Sequence, residues 1–528
     1  MSHPPTPGRG FGLPLIALVV SSLFLPVAQA DWRTARSHNF ELYSQVSDAK
    51  SRETLQMLET FRHAVIARLH LPAHRLRPTT VFLFARDEDY GPYKRLADEA
   101  TVPRPGHGVV NPDRVVLALH ANVDDDLFQA LLFHHYAHAL IDEAGFAPPP
   151  WLAEGMATAL GGFQVQNGRY AFKRFHADSL PVQGVQVPEG YIHRTFVEEY
   201  RTMHGSFTRL RRLAKFDRVI RDGNRAAADL HAASDGNYFY LQSWLLAHYC
   251  LFGAERGQYG APLLRYAMSA AGDDAQQHDR LERTLGMSDK KLRRTLERYY
   301  ESGSWTDLGG PVPAIWAEFD PRFEPANVAA MAVELAGLAL ASRGDPVARA
   351  ELRTAAETSA QERRASEILA VDAGQRGDES ALRDYAARAI AGQTMRSYFF
   401  TALGELALQP YGSALDRAGR MEAVKAEATR GLFERAIALD PGDERAWAGL
   451  AWTEALAIDI ENANVNRVQD ALGAMRRPEE TLLAVAVIRW RIGDTAIARS
   501  LLTKLPRDAD WVGAERLVQL REVVGADP

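Results

Sequence analysis

The stretch LLFHHYAHALIDEAGFAPPPWLAEGMATAL, Leu131 to Leu160, decides how the first half of this chain is read. Its opening belongs to a helix that starts upstream, in DDDLFQALLFHHYAHALID. Asp124 or Asp125 caps that helix, and acidic residues at its start suit the dipole. Leu127, Leu131, His134, His138 and Ile141 follow at steps of four, three, four and three, so they share one face. His134 and His138 are therefore stacked one turn apart and can point at one metal ion. The bare H-x-x-x-H pattern is weak in a chain with 16 histidines, because a histidine on an apolar face is usually a hydrogen-bonded core residue. The sequel carries more weight. APPPWLAEGMATALGG is a second helix, with prolines before its first turn and a Gly-Gly stop, and it presents Glu154 sixteen residues after His138. The connection holds a glycine and three prolines, so the second helix can fold back on the first. One carboxylate then lies beside two imidazoles, a His2Glu donor set with an open fourth position.

Working outward, the chain from Asp31 to about Asp126 alternates between strand and helix signals. NFELYSQ (39–45) reads as a strand, and TTVFLFA (79–85) as a short, β-rich central one. Between them, Leu55, Leu58, Phe61, Val65 and Leu69 keep helical spacing. GHGVVNPDRVVLALH has two β-rich arms around Asn111-Pro112-Asp113, and FQVQNGRYAFKR turns at Asn167-Gly168; both read as hairpins. Helices are expected at IHRTFVEEYRTM, GNYFYLQSWLLAHYCLFG, APLLRYAMSAAG and KKLRRTLERYYES. The Gly- and Pro-rich GSWTDLGGPVPAIW marks a boundary, so 303–320 reads as a linker between 31–302 and 321–528.

The last part is Ala-rich and helical. In GLFERAIALDPGDERAWAGLA, Phe433, Ala436, Pro441, Trp447, Leu450 and Ala451 sit at tetratricopeptide offsets, and Gly-Asp pairs at 344–345 and 377–378 are 33 residues apart. RIGDTAIARSLLTKL repeats the turn-then-helix form. The expected fold class is an α+β domain with a small sheet, followed by an all-α helical-repeat domain. A generic helical bundle is the plainer alternative. Such arrays stack into curved surfaces, so a peptide or protein partner is expected there.

Composition narrows the function classes. The 528 residues carry a formal charge of −6, with 46% hydrophobic and 24% charged residues, which fits globular folding and gives no basic excess for nucleic acid. Residues 1–30 hold Arg9, an apolar run from Phe11 to Leu25 and a small-residue AQA ending at Ala30. That is the layout of a signal peptide cut before Asp31, with no membrane span left after cleavage. An uncleaved anchor is the rival, but the run is short of the ~20 apolar residues a spanning helix needs. Cys250 is the single cysteine, so no intrachain disulfide forms, and its apolar helical setting reads as core. Export places the protein in the periplasm or outside the cell.

The two helices together resemble a known pattern. HHYAHAL…PPPWLAEGMA is similar to H-E-Y-A-H…P-x-W-L-x-E-G of the gluzincin metallopeptidases, specifically the bacterial peptidase-MA-like group. The resemblance extends over roughly Asp31 to Ser302, with NFELYS, V-x-L-F, and a later helix bearing Tyr240, Gln242, Ser243, Trp244, Leu246 and His248. It implies a zincin-like fold, with zinc held by His134, His138 and Glu154. It also implies an oxyanion donor among Tyr238, Tyr240 and His248, and, by analogy, peptide addition along RVVLALH.

This chain departs from the pattern at His135. The family has a glutamate there, which takes a proton from the metal-bound water and passes it to the leaving amine. Imidazole is bulkier, carries no negative charge, and is disfavoured as a cation beside Zn2+. Three readings follow. The first is an exported zinc-peptidase-like protein, catalytically impaired, acting in binding or scaffolding. The second is an active hydrolase with altered proton transfer through His135, Asp142 or Glu143, although Asp142 more naturally supports His138. The third is a helical protein whose histidines are structural.

Overall fold

The computed structural model describes residues 32–69, 71, 76–93, 106–123, 125–143, 146, 148–172, 213–228, 238–253, 256–268, 273–302, 308–358, 361–411, 420–475, 478–505 and 514–524. The leader at 1–30 and the helix expected at IHRTFVEEYRTM lie outside them. No helix among the described residues is long and apolar enough to cross a membrane.

The chain opens with β1 (Arg33–Arg36) antiparallel to β2 (Phe40–Ser44). Helix α1 (Asp48–Leu69) then crosses to β3 (Thr79–Phe84), which runs parallel to β2. The hairpin around Asn111-Pro112-Asp113 forms as β4 (Gly106–Val110) and β5 (Val115–His120). Strand β5 pairs in parallel with β3, which leaves β4 outermost. RVVLALH is thus second from the edge, so the strand facing outward on this side is β4 and not the one the resemblance pointed to.

After the hairpin come α2 (Asp125–Glu143) and α3 (Pro150–Gly161). The Asn167-Gly168 turn then joins β6 (Phe163–Gln166) to β7 (Arg169–Phe172). Five helices follow: α4 (Phe216–Ala228), α5 (Tyr238–Phe252), α6 (Arg256–Met268), α7 (Asp274–Leu285) and α8 (Asp289–Ser302). Of these, α4 and α7 have no counterpart in the sequence reading. Of the stretch read as a linker, residues 308–320 are described. In it β8 (Leu308–Pro311) adds to β7, and just beyond it β9 (Glu324–Pro325) adds to β1 at the far edge of the main sheet.

The remainder is all helix: α9 (Val328–Arg343), α10 (Pro346–Thr358), α11 (Glu362–Gln375), α12 (Glu379–Ala391), α13 (Ser397–Leu408), α14 (Ala423–Leu439), α15 (Glu444–Leu456), α16 (Asn462–Ala471), α17 (Glu479–Arg491), α18 (Thr495–Leu502) and α19 (Ala514–Val524). From α9 to α18 the helices pair in sequence, and the first helices of successive pairs pack on one another. The result is a two-layer stack. Gly344 and Gly377 both break helices at positive φ, 65° and 71°, which accounts for the spaced Gly-Asp pairs.

The sheet is buried on both faces, as a near-continuous apolar run requires. Leu42, Val81, Leu83, Leu117 and Leu119 face α1 and α2. The alternate residues Tyr43, Phe82, Phe84, Val116 and Ala118 face the other way, against Met331 and Leu338 of α9. The first helix of the array is therefore the second cover of the sheet. A chain ended at Ser302 would lose two strands and this cover, exposing three aromatic rings and two aliphatic side chains. It is expected to aggregate or to bind a hydrophobic dye strongly, where the full chain does neither. A soluble 32–302 fragment that unfolds cooperatively would contradict this packing.

Candidate metal centre

Helix α2 is buried along most of its length: Phe128, Leu131, Leu132, Phe133, Tyr136, Leu140 and Ile141 are all core. His134, His135 and His138 lie on the partly open side. Helix α3 is anchored by Trp151, Leu152 and Met156, each fully buried, which turns Glu154 towards the open side of α2. The glycine after Glu154 sets how deeply α3 sinks. A β-carbon on Gly155 would sit 2.5 Å from the Ser243 carbonyl group of α5, so only glycine lets these two helices meet. The E-G pair was visible in the sequence, but what it meets was not.

The two helices bring the expected donors together. His134 Nε2 and His138 Nε2 are 3.1 Å apart. Glu154 reaches both, with Oε2 3.4 Å from His134 Nε2 and Oε1 3.5 Å from His138 Nε2. Among the described residues this is the one group of three or more His, Cys, Asp or Glu side chains close enough to share a metal ion. The side chains are 16%, 33% and 33% exposed, so the cluster opens to solvent. Crowding alone would push the Glu154 carboxyl up, but the His138 charge and hydrogen bonds from both imidazoles outweigh it. The carboxyl is held well below the usual carboxylate range and stays ionised, as a ligand must.

His135 stands outside the cluster. Its ring centroid is 5.6 Å from that of His134, and the two planes are nearly perpendicular. Asp142 is exposed, and partial desolvation raises its carboxyl against the downward pull of Arg77. Glu143 is engaged elsewhere, its Oε1 accepting from the Arg77 backbone N–H at 2.7 Å. Of the donors suggested by the resemblance, His248 is buried with Nδ1 2.9 Å from the Tyr299 hydroxyl, packed on Trp244 and Phe252. It serves the α5–α8 packing. The side chains of Tyr238 and Tyr240 lie outside the described ones. Cys250 is buried and burial pushes its thiol up, in keeping with a core role.

No family model, no curated protein and no solved structure matches this chain. The likeness to gluzincins therefore rests on the residues themselves.

Glu143 gives the end of α2 a pH dependence of its own. Burial pushes its carboxyl up from 4.5 to about 6, against the opposing pull of Arg77. The folded chain holds this proton more tightly than the unfolded chain. The contribution is therefore present in full below about pH 4.5 and is lost as pH rises through about 6. Chemical denaturation across that window should show stability falling with pH less steeply in Glu143→Gln than in the parent. Equal slopes would contradict the assignment.

Proposed function

We propose that this chain is an exported, zinc-binding protein of zincin-like design whose hydrolysis is crippled at His135 and which acts by binding or scaffolding. The convergence of His134, His138 and Glu154 carries the reading. A tetrahedral zinc with bonds of ~2.0–2.1 Å separates its ligand atoms by about 3.3 Å. The two imidazole nitrogens are 3.1 Å apart, one Glu154 oxygen is 3.4 Å from His134 and the other 3.5 Å from His138, and one donor atom from each residue lies within 4.8 Å of the rest, so small side-chain adjustments bring the set to that spacing. Two neutral imidazoles and one ionised carboxylate are also the donor chemistry that zinc takes.

When bound, zinc would supply a Lewis acid and a more acidic water. Hydrolysis needs a further group from the chain, a base that removes the proton and later returns it. The position next to His134 on α2 offers an imidazole, which beside a dication is a poor proton acceptor. Of the two nearby acids, Glu143 accepts from the Arg77 backbone N–H, and Arg77 is the charge acting on Asp142. No observation favours the altered-hydrolase reading. What remains is a centre that orders α2 against α3 and can hold a ligand at its open side. The helical array supplies surface for a peptide or protein partner. Export rests on the leader at residues 1–30.

The test uses the whole mature chain from Asp31 onward. One zinc per chain is expected, lost in His138→Ala. General peptide substrates should be cleaved feebly or not at all by the natural chain, with turnover rising ~10²-fold or more in His135→Glu. Strong chelator-sensitive turnover by the natural chain would overturn the impairment. Absence of zinc, with His134→Ala folded like the parent, would overturn the metal centre.

A further inference from the structure

The helical array touches the hairpin that walls the candidate site. Strand β4 presents its residues alternately to two helices. His107 faces the array: its Nε2 is 2.7 Å from the Ser342 hydroxyl of α9, and its Nδ1 is 2.6 Å from the Tyr90 hydroxyl. Gly108 faces the other way, onto α2. A β-carbon there would lie 3.2 Å from the His135 carbonyl oxygen and 3.7 Å from its β-carbon, so α2 rests directly on β4 at the residue following the first donor, His134. The turn of the same hairpin is held by charge. Arg114 Nη1 donates to Glu334 Oε2 of α9 at 2.8 Å, and both side chains are 4% exposed. Glu334 is fixed in turn by Arg364 of α11, through Nε at 2.5 Å and Nη2 at 3.1 Å. A third tie runs back to the site helix. Arg77 Nε donates to the Pro112 carbonyl in the turn at 2.8 Å, while the Arg77 backbone N–H holds Glu143, the last residue of α2.

We propose that Arg114, His107 and Ser342 are positioning residues for the metal centre. Through them, the first-helix layer of the array takes the Asn111–Arg114 turn as an internal ligand and clamps β4 against α2. The buried Arg114–Glu334–Arg364 group occupies that layer at α9 and α11. The coupling runs through packed, mostly buried contacts with no loose linker between. Opening the clamp would separate the buried Arg114 guanidinium from its carboxylate, which is costly at this depth and keeps it shut. This inference rests on the zinc reading only for its consequence; the mechanical link stands on the contacts alone.

The experiment measures amide hydrogen exchange and zinc affinity, against a competing chromophoric chelator, on the full mature chain. Its variants are Arg114→Met, which leaves Glu334 paired with Arg364, and the milder Ser342→Ala. Val465→Ala is a control that loosens the array core away from the hairpin. In both clamp variants, amides of 106–120 and 125–143 should exchange roughly fivefold faster or more. Zinc affinity should drop about tenfold, and the control should move neither. Should Arg114→Met not fold, Ser342→Ala decides alone. Faster exchange confined to α9, or the same response from the control, would overturn the proposal. A parent that binds no zinc removes the metal reading, and the exchange arm then decides the link by itself.

Discussion

The structure depends on two strands that cannot face water on either side. In β3 and β5 every residue is buried, so the sheet needs a helical cover above and another below. Each large side chain placed there contributes about 1.5–3 kcal/mol of favourable transfer, enough in sum to fix which helices do the covering. One cover includes α2, with its histidines on the partly open side. The other includes α9, the first helix of the array. The candidate site and the array are therefore opposite coverings of one sheet, and the polypeptide between them contributes strands to both sheets.

The candidate metal centre follows from how α2 and α3 are seated. Apolar residues bury most of each helix, and the polar exceptions are left at the surface where the two meet. Helical geometry fixes His134 above His138, the proline-rich connection returns the chain, and the glycine at 155 allows the depth of contact that brings Glu154 into reach. The two flanking imidazoles hold the Glu154 carboxyl well below the usual carboxylate range. The same helix α2 carries a third imidazole, His135, at the position that the proposed reading turns on, and Glu143 at its end is held by the Arg77 backbone N–H.

Much of this was legible in the sequence, for physical reasons. The helical spacing of His134 and His138, the Pro-opened helix bearing Glu154, the Asn-Gly hairpin and the central strand all depend on local rules. Local rules act within a few residues. What they leave out are contacts distant in sequence. Inside the Gly- and Pro-rich stretch read as a linker, Leu308–Pro311 pairs with β7 as a short edge strand, a partner that no local rule names. Asp142 is one turn from His138, and a local rule does not show that Arg77, from the segment before β3, also acts on its charge. Nothing near Arg114 announces that its partner is Glu334, 220 residues later. The periodicity of α9 showed a helix but not the sheet it covers.

The central claim is that two imidazoles and one carboxylate bind a single zinc ion. X-ray absorption at the zinc edge, on the full mature chain loaded with one equivalent, reads this directly. The account predicts about four nitrogen or oxygen neighbours at ~2.0–2.1 Å, with outer-shell scattering from two imidazole rings. That scattering should fall to one ring in His138→Ala. A spectrum of hydrated zinc with no imidazole signature would contradict it.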